Sequence, residues 1–249
     1  MCGRVFVRTT LDELIRNFAW AQAAGGIEGL ANDYPRWNGA PGKYYPLIIQ
    51  EPDRAGPVFM RASWGFTPSW ANGPNLGGRR PPINARAETV ATSGMFKHAY
   101  RRRRALMPID GFFEWWDVQG TGKNKQPYAV AMKTDEPFCI AAIWEEWKNR
   151  QTDGVIRTFA VVTCEANELM ATIHPRMPVI IAPEDYRRWL AFEQDDPHDL
   201  LKQFPSEKMK MWPIGRGVGN TRNNTPDVLD PIEVARSDEP EPPEPGTLL

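Results

Sequence analysis

Proline sets the first limit on what this chain can become. There are 24 prolines and ten tryptophans among 249 residues. A proline removes a backbone donor and breaks a helix interior, so such a chain favours short strands and ordered loops with aromatic faces to spare. The runs between the prolines fit that picture. "YYPLIIQ" (44–50), "PVFMRASWGF" (57–66), "ALMPIDGFFEWWDV" (105–118), "QPYAVAMK" (126–133), "PFCIAAIWEEWKN" (137–149) and "VIRTFAVVTCEA" (155–166) read as strands. Turns separate them at "QGTGKNK" and at Asp153-Gly154. Helical spacing occurs in "TTLDELIRNFAW" (9–20), with Leu11, Leu14, Ile15 and Phe18 on one side and Thr9 or Thr10 as cap, and in "PEDYRRWLAF" (183–192). "RWNGAPG" (36–42) reads as a turn and 72–86 as a long loop. The pattern gives an α+β or β-rich single domain over 1–230. Residues 231–249, ending "SDEPEPPEPGTLL", form an acidic proline-rich tail expected to be disordered.

The remaining composition narrows the function classes. Hydrophobic residues make up 41%, enough for one sizeable core or two small ones. No apolar run approaches the roughly 18 residues of a membrane span, and "MCGRVFVRTT" turns polar too early for a secretory signal. Cys2, Cys139 and Cys164 make neither a disulfide framework nor a metal spacing, which fits a reducing, cytoplasmic setting. With three histidines only, zinc chemistry is not expected, and no cofactor is called for. The net charge is −1, yet its placement is uneven. Residues 76–104 hold eight lysines and arginines against Glu88 alone, while 227–249 hold seven acids against Arg236. The basic cluster is either a solvated face or a phosphate-binding surface.

Four segments place polar groups where a core or turn does not need them. "PPINARAET" carries Asn84, Arg86 and Glu88. In "DGFFEWW" Glu114 sits among apolar neighbours, where a carboxylate needs a partner or a neutral form. His174 and Arg176 lie two apart in "IHPRMP", on one side of an extended chain. Tryptophans neighbour glycine and proline in "WNGAPG" and "SWGFTPSW". Each also has an ordinary reading, as turn cap, ion pair, core histidine or core aromatic.

Taken with the "MCGR" start, these segments resemble the SRAP family, the abasic-site processing proteins first labelled SOS-response-associated peptidases. The likeness runs in order through "WNGAPG", "WGFTPSW", "INARAET", "MFKHAYRRRRALMPIDGFFEW", "QPYAV", "AAIWE", "FAVVT", "IHPRMPVI" and "VGNTRNN", over about residues 1–225. It implies a single domain with a twisted, partly closed β-sheet core flanked by helices. It also implies covalent attachment to abasic sites in single-stranded DNA. By the same resemblance Cys2 is the nucleophile after Met1 is removed, and Asn84, Glu114 and His174 are its active-site partners. Arg4, Arg86 and Arg176 match phosphate-holding arginines, and Trp70 and the Pro41 segment match parts that pack on bases near the lesion. Gly39 departs from a valine frequent in the family.

The residues supply a chemistry for that reading. An abasic sugar opens to an aldehyde, and the Cys2 α-amine can condense with it to an imine. The thiol on the same residue can then close a thiazolidine, a five-membered ring favoured because the step is intramolecular. No internal cysteine can do this, since its nitrogen is an amide. Glu114 suits proton shuttling, His174 protonation of the sugar ring oxygen, and Asn84 orientation of the N-terminus or sugar. Weak lyase cleavage and self-removal of the residue ahead of Cys2 follow as side activities. Two rivals remain at this level. One is an N-terminal-nucleophile glutamine amidotransferase, which also begins Met-Cys-Gly. The other is a non-covalent single-strand binding module. A monomer, with no membrane and no metal partner, is the expected state.

Overall fold

The computed structural model describes residues 2–23, 26–74, 76–149, 152–191 and 196–234. Five strands close on themselves. Val155–Glu165 pairs with Phe138–Lys148, which pairs with Arg104–Ile109, then Tyr44–Ile49, then Val58–Trp64, and this last strand returns to the first. Closure is a short parallel contact, Thr158 with Ser63 and Phe159 with Trp64. It is followed by Gly65, whose φ of 140° is open to glycine and whose N–H donates to Phe159 O at 2.9 Å. Tyr45, Trp64 and Phe159 meet ring against ring at 5.7–6.0 Å behind that seam. The partly closed sheet expected from the resemblance is thus a closed ring of five, in a mixed α+β single domain.

A second, five-stranded sheet lies beside it, in the order Met209–Pro213, Gln126–Met132, Gly111–Trp116, Val5–Val7, Arg36–Gly39. Alternation fixes what each of its faces touches. Val5, Val7, Phe112, Tyr128 and Val130 belong to the large core shared with the ring. Phe6, Phe113, Ala129 and Ala131 instead join Ile214, Val218 and Val228 in a smaller core under Trp37, Trp115 and Trp212. Glu114, two residues after Phe112, therefore points to the seam between ring and sheet.

Several local expectations shift. Residues 105–118 are two strands in two different sheets, broken at Asp110. The Asp110 N–H donates to Phe6 O at 3.0 Å, and its carboxylate accepts from the Arg8 N–H at 2.8 Å. "RWNGAPG" is a turn only from Ala40, because Arg36–Gly39 pairs as an edge strand. The first helix is shorter than its periodicity suggested, Leu11–Asn17, with Thr10 as cap in a reciprocal capping box with Glu13. The helix near 183–192 opens as a 3₁₀ turn, Pro183–Asp185, before Tyr186–Leu190. Among the described residues no helix is long and apolar enough to cross a membrane. Residues 235–249 of the acidic tail lie outside the described residues, and the part before them touches the domain, with Ile232 N–H donating to Pro213 O at 3.0 Å.

Candidate active site

Four elements deliver one polar side chain each to the seam. Cys2 precedes the first strand and has no exposed surface. Asn84 opens the strand Asn84–Arg86, which runs parallel to the long strand with Asn84 opposite Val161. Its Nδ2 donates to Cys2 O at 2.9 Å, while its Oδ1 is buried with no hydrogen-bond partner among the described residues. Such an acceptor is costly unless a ligand or the mature N-terminus supplies a donor. Glu114 is 4% exposed and faces Tyr128 across the strand pair.

His174 completes the group. Its Nδ1 lies 3.0 Å from the Arg176 N–H and 3.1 Å from the Arg176 carbonyl, contacts that suit one tautomer each, and its Nε2 stands 4.0 Å from Glu114 Oε1. Burial pushes the Cys2 thiol well above its ordinary range, and the nearby Glu114 carboxylate pushes it further. The thiol therefore keeps its proton until positive charge appears beside it.

The arginines differ in what they hold. Arg4 leads away from the group: it donates to Val218 O and Gly219 O at 2.8 Å each, bonds Asn38 Oδ1, and lies 5.8 Å over the Trp115 ring. Asn38 closes the same clamp, donating to Val218 O, Asn220 O and Asn223 O. Both ends of this clamp lie in quoted motifs, "WNGAPG" and "VGNTRNN", but about 180 residues of intervening chain hide their contact from sequence reading. Arg176 forms a two-pronged pair with Glu88 and also donates to Thr163 O at 2.6 Å. Arg86 is exposed and forms no salt bridge among the described residues.

The two segments expected to pack on bases differ in how they are held. Trp70 is 61% exposed. Pro41 leads into Gly42, whose N–H donates to Trp64 O at 2.7 Å, and Trp64 Nε1 in turn donates to Ile83 O, one residue before Asn84. Gly39 has a steric reason to depart from valine. A Cβ there would lie 2.7 Å from Tyr45 Oη, which donates to Ala40 O.

The basic cluster also divides. Arg104 is buried and donates to the Tyr100, Trp189 and Ala191 carbonyls. Arg103 pairs with Glu145. Arg79, Arg80, Arg86, Lys97, Arg101 and Arg102 are exposed.

The family model described as SOS response associated peptidase (SRAP) matches residues 1–221. The chain is 30% identical to the abasic site processing protein YoqW of Bacillus subtilis strain 168, over 92% of this chain and 99% of that one. It is also 30% identical to the abasic site processing protein YedK of Escherichia coli K12, over 93% and 100% respectively. In fold it is similar to a crystal structure of a protein from Bacteroides thetaiotaomicron, with a TM-score of 0.81, 23% identity, and coverage of 93% of this chain and 100% of the other.

Proposed function

We propose, from the premise that this chain belongs to the SOS response associated peptidase family, that it captures abasic sites in single-stranded DNA by a covalent bond to Cys2. The convergence of Asn84, Glu114 and His174 on a residue that becomes N-terminal when Met1 is removed carries this reading. The amine attacks the open sugar aldehyde and water leaves, giving an imine. The thiol sulfur then adds to the same carbon and its proton passes by way of Glu114 to the former imine nitrogen, closing the thiazolidine with no further atom lost. His174 serves the sugar ring oxygen as the ring opens. Asn84 Oδ1 accepts a hydrogen bond from the freed amine or the sugar. β-Elimination from the imine gives a minor lyase product, and self-removal of Met1 is the peptidase step consistent with the family's name.

The strand itself is held by Arg86 and Arg176 through its phosphates, with Trp70 as stacking surface and the Pro41 turn packing beside it. Phosphate contacts carry no base information, so sequence preference is slight. The test is incubation with a single-stranded abasic oligonucleotide, resolved on a denaturing gel without reductant. The parent protein gives a retarded species. Protein with an uncleaved tag ahead of Cys2 gives none, yet binds the same oligonucleotide with unchanged affinity. An equal yield from the tagged protein would refute attachment through the amine.

A further inference from the structure

Away from the reacting group, the loop bearing Trp70 and the helix Lys97–Arg102 meet over one buried carboxylate. Ser69 Oγ donates to Glu145 Oε2 at 3.4 Å, His98 Nδ1 lies 3.9 Å from that oxygen, and the Arg103 guanidinium pairs with Oε1. Phe66 and Phe96 pack edge to face at 5.2 Å between the same two segments. Trp147 Nε1 pins the far end of the loop by donating to Ala71 O at 2.8 Å. The loop and the helix are thus held in a fixed relation.

Glu145 is engaged by Arg103, and the side chains of Lys97, Arg101 and Arg102 are exposed with no ion pair among the described residues. Lys97 and Arg101 are one helical turn apart, so they repel each other slightly unless an anion lies between them. Cations beside a fixed exposed aromatic are the arrangement that stacks an unpaired base while holding its backbone. Phe66 N–H donates to Pro82 O, two residues before Asn84, and Trp70 lies four residues beyond Phe66. At no more than about 3.6 Å per residue this places Trp70 within ~30 Å of the reacting group.

We propose that Lys97, Arg101 and Arg102, beside Trp70, form a second phosphate subsite that holds the DNA strand beyond the abasic nucleotide. The proposal rests on the abasic-DNA reading of the site and adds the surface that sets how long a strand the protein prefers. Only a strand long enough to pass both the reacting group and the helix feels it.

The test compares Lys97→Gln/Arg101→Gln/Arg102→Gln with the parent and with a control lacking Lys123 and Lys202, two exposed lysines elsewhere. Probes are an abasic oligonucleotide of about four nucleotides, one of about twenty, and an undamaged strand of about twenty. The triple variant should lose about tenfold in affinity for both long strands, and its salt dependence should flatten by about two units of slope. Crosslinking to the short probe and the melting temperature should match the parent, and the control should match it throughout. Equal affinity and slope on the long strands, or an equal loss on the short probe, would overturn the subsite. If the parent crosslinks to neither abasic probe, the covalent reading fails, and the undamaged strand still decides the subsite.

Discussion

Two buried glutamates in this molecule keep different company. Glu145 and Glu114 are 2% and 4% exposed, and both sit on strands. The carboxylate of Glu145 meets the Arg103 guanidinium, the Glu146 N–H at 2.9 Å and Ser69 Oγ. Each also has an imidazole about as near, His98 at 3.9 Å from Glu145 and His174 at 4.0 Å from Glu114, but beside Glu114 lies a thiol close enough to be raised by its charge. A guanidinium does not give up its proton at any physiological pH. The first glutamate is matched by a permanent cation, while the second faces the Cys2 thiol, whose proton it takes up in the proposed reaction. Burial alone therefore does not mark a catalytic carboxylate; the chemistry of its neighbour does.

The contrast breaks most sharply at Glu114. Glu114→Gln keeps the shape and removes the proton acceptor, so crosslinking should slow by about 10²–10⁴-fold while affinity for the abasic strand stays within twofold. Time courses beside binding curves measure both, and equal rates in variant and parent would erase the distinction. Glu145→Ala should do the opposite. It leaves Arg103 half-buried without its carboxylate, at a cost of about 3 kcal/mol in thermal or urea melts, and the folded fraction should still crosslink a short abasic probe at the parent rate.

Sequence reading named the residues that meet at the seam but not the reasons for their company. Glu114 was visible as a lone acid in "GFFEWW", and the alternation of Phe112, Phe113 and Glu114 explains the face it takes. The strands were legible because their apolar runs are bounded by turns. Residues 105–118 misled because a continuous apolar run does not reveal that Asp110 hands the chain from one sheet to the other. Arg36–Gly39 misled because glycine and proline beside it imitate a turn, while edge pairing with Val5 and Val7 decides otherwise. The Glu145 network joins residues up to 76 apart, and the Arg4–Asn38 clamp joins the two ends of the domain. No periodicity carries such contacts, because they are set by tertiary closure.

The two arginines beside the site sharpen the same contrast at smaller scale. Arg86→Ala should weaken strand binding severalfold and reduce the salt slope by about 0.7, with no change in melting temperature, since Arg86 has no salt bridge to lose among the described residues. Arg176→Ala should reduce affinity similarly and also lower the melting temperature, because Glu88 and Thr163 lose their donor.

The smallest effect is a pH dependence. Hydrogen bonding to the Arg176 guanidinium holds the Glu88 carboxyl below its usual range. A folded pKa below the unfolded one means the pair stabilises above the unfolded value, near ~4.3, and that this contribution is lost as pH falls through the folded value. The pair is partly exposed, so the stability gap between parent and Glu88→Gln should be under about 1 kcal/mol at pH 7 and should close in acid. A gap that persists in acid would mean the pair does not act through ionisation.

The mass of the N-terminal peptide after reaction with a single-stranded abasic oligonucleotide tests the Cys2 chemistry most directly. The predicted peptide begins at Cys2, lacks Met1, and carries the sugar fragment less one water, on both the nitrogen and the sulfur of that residue. Its Cys2→Ala counterpart shows only a reducible imine that does not survive denaturation. An unmodified Cys2 peptide alongside a linkage elsewhere in the chain, or a stable adduct of equal yield on Cys2→Ala, would contradict the thiazolidine mechanism.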